Sequence, residues 1–357
     1  MYDYTLTERG LRMTTFSLVQ SLADLRGVSG RDHPVADFIA REFGSVLPAK
    51  YHRDGVLISY LCGIENPAKP TLLLCAHIDQ VGFFVTDITP DGFLRIGNVG
   101  GIDRRLLLGQ SVKIFGKNEV LDGVISILPP HLLQGEQAVP DIDKLCVDTG
   151  FSSADNLRGK VRRGDAVYFD TNCAPLLGTR MTGSALDDRS GAAALILTAQ
   201  MLRNVAASLP YNVAFAFSTQ EERSGHKGAK IASMLVNPQL SIAVDVTFGT
   251  ADCDHDECFD LDGGPAIGVS SVLDADFSDR LIEIAEKAQI PYQIEVMPES
   301  TGTDADILAI APQNGSKAAT VSIPLRYMHT PVEVISTQDV ENLAALLAAF
   351  AKEGGIA

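Results

Sequence analysis

Five short apolar runs constrain the fold of this 357-residue chain more than any other feature: Val56–Leu61, Thr71–Cys75, Val213–Phe217, Ile242–Val246 and Ala319–Ile323. Each has the length of a strand buried on both faces and is too short for a core helix. Helical patterns lie between several of them. These are Gly191–Leu202, the segment after Gly225, Phe277–Ala288, and a last one in which Val340, Leu343, Leu347 and Phe350 form a stripe behind Thr337. Two further helices open the chain: Phe16, Val19, Leu22 and Leu25 recur at helical spacing before Gly27, and Asp32 is placed to cap a helix carrying Val35, Phe38, Ile39 and Phe43. Strands alternating with helices predict an α/β sheet.

The stretch from Gly82 to Thr182 has a different character. It offers short alternating strands and turn punctuation such as Pro90-Asp91-Gly92 and Gly116-Lys117-Asn118, but no helical stripe. It reads as an all-β insertion over 83–182, which leaves a discontinuous α/β domain built from 1–82 and 183–357. Length agrees, because a single hydrophobic core rarely keeps growing past about 250–300 residues.

A formal charge of -16 repels phosphate backbones, which argues against nucleic acid and anionic membrane partners and for peptides or small molecules. The opening MYDYTLTERGLRMTTF lacks a basic region followed by an apolar core, and no stretch approaches the roughly 20 apolar residues of a membrane span, so a cytoplasmic location is expected. The six cysteines are scattered without regular spacing, so free thiols are expected. The segment CDHDECFD, with Cys253 and Cys258, matches no metal-ligand spacing and reads as a surface loop.

Four features place a metal-type ligand just beyond an apolar strand, where open α/β sheets put their sites. In TLLLCAHIDQVGF, His77 and Asp79 project from one face of an extended strand end, and a carboxylate beside a metal-bound imidazole can orient it; taken alone, this pair fits a structural histidine better than a ligand. In MTGSALDDRSGAA, Asp187 and Asp188 precede a helix rich in small residues, where acids also serve as caps. In NVAFAFSTQEERSGHKGA an almost wholly apolar strand ends in adjacent Glu221 and Glu222, for which a solvated turn is the alternative reading. Like charges beside a buried strand are costly unless a cation compensates them, and one acid could bind that cation while the other acts as general base toward water. Finally, Asp245 ends the run SIAVDV, and His329 precedes Pro331 in LRYMHTPVEV. Imidazoles and carboxylates from separate strand ends, without thiolates, suit borderline-hard divalent ions.

In this set and order, the motifs AHIDQVGF, SALDDRSGAA, STQEERSGHKGA, AVDVT, GTDA at Gly302–Ala305 and SIPLRYMHTPVEV resemble the tetrahedral, or TET-type, aminopeptidases. These form metallopeptidase family forty-two, which includes glutamyl aminopeptidases and proteins labelled endoglucanases. The resemblance implies a mixed-sheet, zinc-exopeptidase-like catalytic domain with an inserted all-β domain that mediates dimer formation. It implies two divalent metal ions per subunit, zinc or cobalt, with Asp187 bridging, His77 and Asp245 on one ion, and Glu222 and His329 on the other. It makes Glu221 the catalytic base and Asp79 the acid supporting His77, and it places a non-proline cis peptide before Asp188. Dimers in such relatives assemble into tetrahedral twelve-subunit shells, so a homo-oligomer is expected.

Two stretches depart from the family pattern. Between Glu222 and Gly228 the chain reads Arg-Ser-Gly-His-Lys, one residue longer than the usual Val-Gly-Leu-Arg, and Gln80 stands in place of a common Glu. The expected reaction is hydrolytic removal of the N-terminal residue from short peptides. Its rivals are a deacylase on the same scaffold, a glycosidase, and a non-catalytic assembly protein. A glycosidase needs two carboxylates flanking a sugar and no such cluster, and the presence of all the key residues argues against a decayed site.

Overall fold

In the computed structural model, residues 13–53, 55–127, 139–223, 225–250, 258–313 and 315–355 are described. All five apolar runs are strands, extended by a residue or more at most ends: Val56–Tyr60, Thr71–His77, Asn212–Ser218, Leu240–Phe248 and Lys317–Arg326. They form the middle of an 11-stranded mixed sheet. From one edge it runs through Ala49–Arg53, Val56–Tyr60, Asn212–Ser218, Thr71–His77, Leu240–Phe248, Lys317–Arg326, Glu333–Ser336, Arg180–Gly183 and Ala174–Pro175, with Ala266–Ser270 and Gln293–Met297 branching from Lys317–Arg326. The four strands from Asn212–Ser218 to Lys317–Arg326 are mutually parallel.

Alternation along these strands feeds two cores. Leu72, Leu74, Val213, Phe215 and Phe217 join one cluster, together with residues from the helices Thr15–Ala23, His33–Phe43, Leu186–Leu202, Ala275–Ala288 and Thr337–Glu353. Leu73, Cys75, Ala214 and Ala216 point the other way, into a smaller cluster with residues of Lys227–Val236 and Ala305–Leu308. A period of two with both faces covered is why these strands read as unbroken apolar runs. The helical stripe expected near the end of the chain is buried as written: Val340, Leu343, Leu347 and Phe350 are all fully inaccessible.

Six strands between Gly82 and Phe169 close into a separate barrel, in the order Gly82–Ile88, Leu94–Val99, Cys146–Asp148, Val120–Ile125, Ser111–Phe115 and Ala166–Phe169. It has its own core, including Phe83, Ile96, Ile114, Val147 and Phe169. The segment also contains a one-turn helix, Ala154–Leu157, too short to show a stripe. Ala174–Pro175 and Arg180–Gly183, which follow the barrel, pair with the large sheet instead.

Two details differ from expectation. Asp32 stands at the N-cap of His33–Phe43 but makes no capping hydrogen bond; it is 1 % exposed, and burial together with the Asp79 charge pushes its carboxyl up to about 7. Cys258 is disulfide-bonded, which corrects the expectation of free thiols throughout; Cys62, Cys75, Cys146 and Cys173 are free, and Cys253 lies outside the described residues.

Candidate active site

Register in the parallel sheet brings the strand ends level. Ser218 pairs with His77 and Val244 with Ala76, so Asp245 stands beside His77 at the same height. The next residues, Asp79 on one strand exit and Glu221 and Glu222 on its neighbour, turn over this edge. Gly228 lets the helix Lys227–Val236 approach that turn, since a Cβ there would lie 2.1 Å from the Thr219 nitrogen. Leu186–Leu202 presents Asp187 from its first turn, where Asp187 and Asp188 are joined by a cis peptide bond.

The sequence-derived candidates converge here. Asp187 lies between the two histidines: its Oδ1 is 3.0 Å from His77 Nε2 and its Oδ2 is 3.3 Å from His329 Nε2. Asp245 Oδ1 is 3.7 Å from His77 Nε2, and Glu222 Oε2 is 3.3 Å from His329 Nε2. Two sets of ligand-type atoms therefore share Asp187: His77, Asp187 and Asp245, and Asp187, Glu222 and His329. Asp79 belongs to neither set but stands behind His77, with its carbonyl oxygen 3.2 Å from Nδ1. Its Oδ1 accepts from the Glu221 backbone at 3.1 Å, its Oδ2 accepts from the Glu222 backbone at 3.3 Å, and Oδ1 lies 3.6 Å from His77 Nδ1.

Crowding governs the electrostatics. Burial, the largest cause in each case, raises the carboxyls of Asp188, Glu222 and Asp245 and pushes Glu221 up to about 9, with neighbouring carboxylates adding to the effect. Burial works the same way on Asp187, yet hydrogen bonds from His329 and His77 pull it below the usual carboxylate range. Burial alone would lower the imidazole of His77, but Asp187, Asp245 and Asp79 hold it well above its ordinary value. So many buried acids around two imidazoles call for positive charge at the centre, and the donor set of nitrogen and oxygen atoms fits divalent cations.

Residues without a role in the sequence reading complete the frame. Glu333, 2 % exposed, accepts from the backbone of Leu186 and Asp187 through Oε2 at 2.8 and 3.3 Å, and from the backbone of His329 through Oε1 at 2.9 Å. Arg189, fully buried behind Asp188, donates through Nη1 to the carbonyls of Leu22 and Leu25. The acid in the HTPVEV motif was visible as a charge among apolar residues, but nothing in a sequence points it at backbone amides.

A cavity of about 530 Å³ opens onto the cluster, bounded by Glu221, Glu222, Asp245, His226, Glu295 and Phe248 among others. A larger cleft of about 800 Å³, lined in part by Arg26, Arg31 and Lys113, contains none of the converging ligands.

The profile of the family described as M42 glutamyl aminopeptidase matches residues 55–346. The chain belongs to this family. Among its relatives is the lysyl aminopeptidase of Pyrococcus furiosus, 32% identical over 348 residues, which are 96% of this chain and 98% of that one. Among solved structures, an aminopeptidase from the archaeon Desulfurococcus kamchatkensis superposes with a TM-score of 0.87 at 33% identity, covering 95% of both chains. The TET1 peptidase of Pyrococcus horikoshii, described as able to assemble into a tetrahedron or a large octahedral shell, gives a TM-score of 0.84 at 33% identity, covering 95% of this chain and 100% of that one. Membership of M42 makes the chain a hydrolase of the aminopeptidase class and a metallopeptidase, and implies a divalent metal cofactor.

Proposed function

We propose that this M42 member is a dinuclear metallo-aminopeptidase that removes the N-terminal residue from short peptides. One observation carries the reading: the two oxygens of Asp187 face different histidines, His77 and His329, as a bridging carboxylate requires. Two divalent cations, zinc or cobalt, would be held by His77, Asp245 and Asp187 on one side and by Glu222, His329 and Asp187 on the other, and when bound they supply Lewis-acid polarisation of the scissile carbonyl and acidify water.

The chain's own groups do the rest. Asp79 orients the His77 ring through its backbone carbonyl, which lies 3.2 Å from Nδ1, and holds the Glu221-Glu222 turn through its carboxylate, which receives both backbone N–H groups. Glu221 accepts the proton of the attacking water and returns it to the leaving amine, the part a positioned carboxylate plays in general acid–base catalysis. The free α-amine of a substrate is drawn to the acidic wall formed by Glu221, Glu222, Asp245 and Glu295, which favours exopeptidase action.

The barrel supports a further part of the reading. Its separate core is what an inserted domain within a 1–82 and 183–357 catalytic body would have, and we infer that it carries a dimer contact within a homo-oligomer, with the tetrahedral twelve-subunit shell as the expected form. A cytoplasmic location fits the acidic surface, and among the described residues no helix is long and apolar enough to cross a membrane. Glu221→Gln tests the mechanism: bound metal measured by elemental analysis should be unchanged, while turnover of aminoacyl anilides falls at least a hundredfold, in the range general-base catalysis supplies. Near-normal turnover in that variant refutes the assignment.

A further inference from the structure

One side chain in the cavity belongs to the stretch that departs from the family pattern. His226 Nδ1 lies 3.1 Å from Asp304 Oδ1 and 3.4 Å from Glu221 Oε1, so a single N–H faces two carboxylates. Asp304 is itself fixed. It is 3 % exposed, and its Oδ2 accepts from Ser218 Oγ at 2.5 Å, at the end of the strand whose register partner is His77. Asp79 anchors only the backbone of Glu221. Among the described residues His226 is the one cationic-type side chain within 4 Å of the Glu221 carboxylate, which otherwise keeps the torsional freedom of a long acid.

We propose that His226, held by Asp304, is a positioning residue for Glu221: it ties Oε1 to the rigid end of the sheet and leaves Oε2 directed to water. The inference rests on the reading of Glu221 as the base. The line of support runs from Ser218 to Asp304 to the imidazole to Glu221, and every link is a side chain at hydrogen-bond distance or just beyond it. The same three groups, Glu221, His226 and Asp304, are close enough to surround an ion. The geometry favours a proton instead, because the one ring nitrogen that faces both acids sits within donor range of Asp304.

Three substitutions test this: H226A, H226L, which keeps bulk without a donor, and H226N, whose amide donates from nearly the same place. H226A and H226L should lower kcat about ten- to hundredfold, the usual effect of losing a supporting partner, with KM within about threefold. H226N should recover most of kcat, and all three should bind as much metal as the wild type. In a Glu221→Gln background H226L should add no further loss, since residues that act through one another are not additive. The inference is overturned if kcat of H226L stays within twofold of wild type, if H226N falls as far as H226L, or if H226L loses a bound ion, which would make His226 a ligand. Failure of the base assignment has a separate signature: Glu221→Gln would then be active whatever residue stands at 226. If H226A does not fold, the comparison of H226L with H226N still decides.

Discussion

Glu333 shows how much of this site depends on a residue that touches no substrate. Its two oxygens receive three backbone N–H groups, from the segments that deliver Asp187 and His329, and it is buried beside the Asp187 charge. Glu333→Gln replaces one acceptor oxygen by an amide that can only donate, so at least one of those N–H groups loses its partner. Removing one partner of a buried hydrogen bond costs about 1–3 kcal/mol, and misplacing a ligand's support typically costs ten- to hundredfold in metal affinity. Metal retention during titration with a chelator should therefore fall by that factor in Glu333→Gln; retention equal to wild type would show that the frame tolerates the loss. The contrast with His77 and Asp245, both on apolar strands, explains what a sequence can disclose. Ligands interrupt apolar strands with residue types that are expensive there, whereas Glu333 and His226 reveal their purpose only through partners that are backbone amides or lie far along the chain.

At the level of elements, the helix Thr337–Glu353 is tied to the loop before Ala266–Ser270 by Asp339. The carboxylate accepts from the backbone of Asp262 at 2.8 Å and of Gly264 at 2.9 Å, yet burial, outweighing those bonds, pushes it up to about 6 from an ordinary 3.8. The sign follows from linkage: the folded state holds this proton more tightly than the unfolded chain, so its contribution is full below pH 3.8 and is lost as pH rises through about 6. Chemical denaturation of wild type and Asp339→Asn across pH 4 to 7 should show a downward slope in wild type that is shallower in the variant; parallel slopes would exclude Asp339 as its source. The central strands and the long helices were legible because burial on both faces imposes an apolar run and burial of one helix face imposes a stripe. The sheet's margins were not. Ala49–Arg53 is an edge strand carrying Lys50, His52 and Arg53 toward solvent, a pattern that protects an edge but erases the hydrophobic signal, and Ala174–Pro175 is only a two-residue pairing.

For the whole molecule, charge and exposed apolar surface make opposite demands. Subunits of net charge -16 repel one another, so a closed assembly of many copies needs contacts that outweigh that repulsion, and apolar contacts can do so without attraction between charges. The barrel exposes Val120, Val124 and Ile127 at 52%, 47% and 59% along one strand and its exit, the kind of surface a dimer contact would cover. Repulsion weakens as the screening length shrinks from about 30 Å at 0.01 M salt to about 3 Å at 1 M, whereas apolar burial is not weakened by screening. Mass measured by light scattering should thus hold or rise with salt. Val124→Asp adds a like charge to the barrel and should lower that mass, while its melting temperature at the level of the single subunit and its metal content stay near wild type, because Val124 lies outside the barrel core. An assembly that instead comes apart as salt increases must be held by ion pairs, and the barrel's apolar strip would then lose its place as the dimer contact.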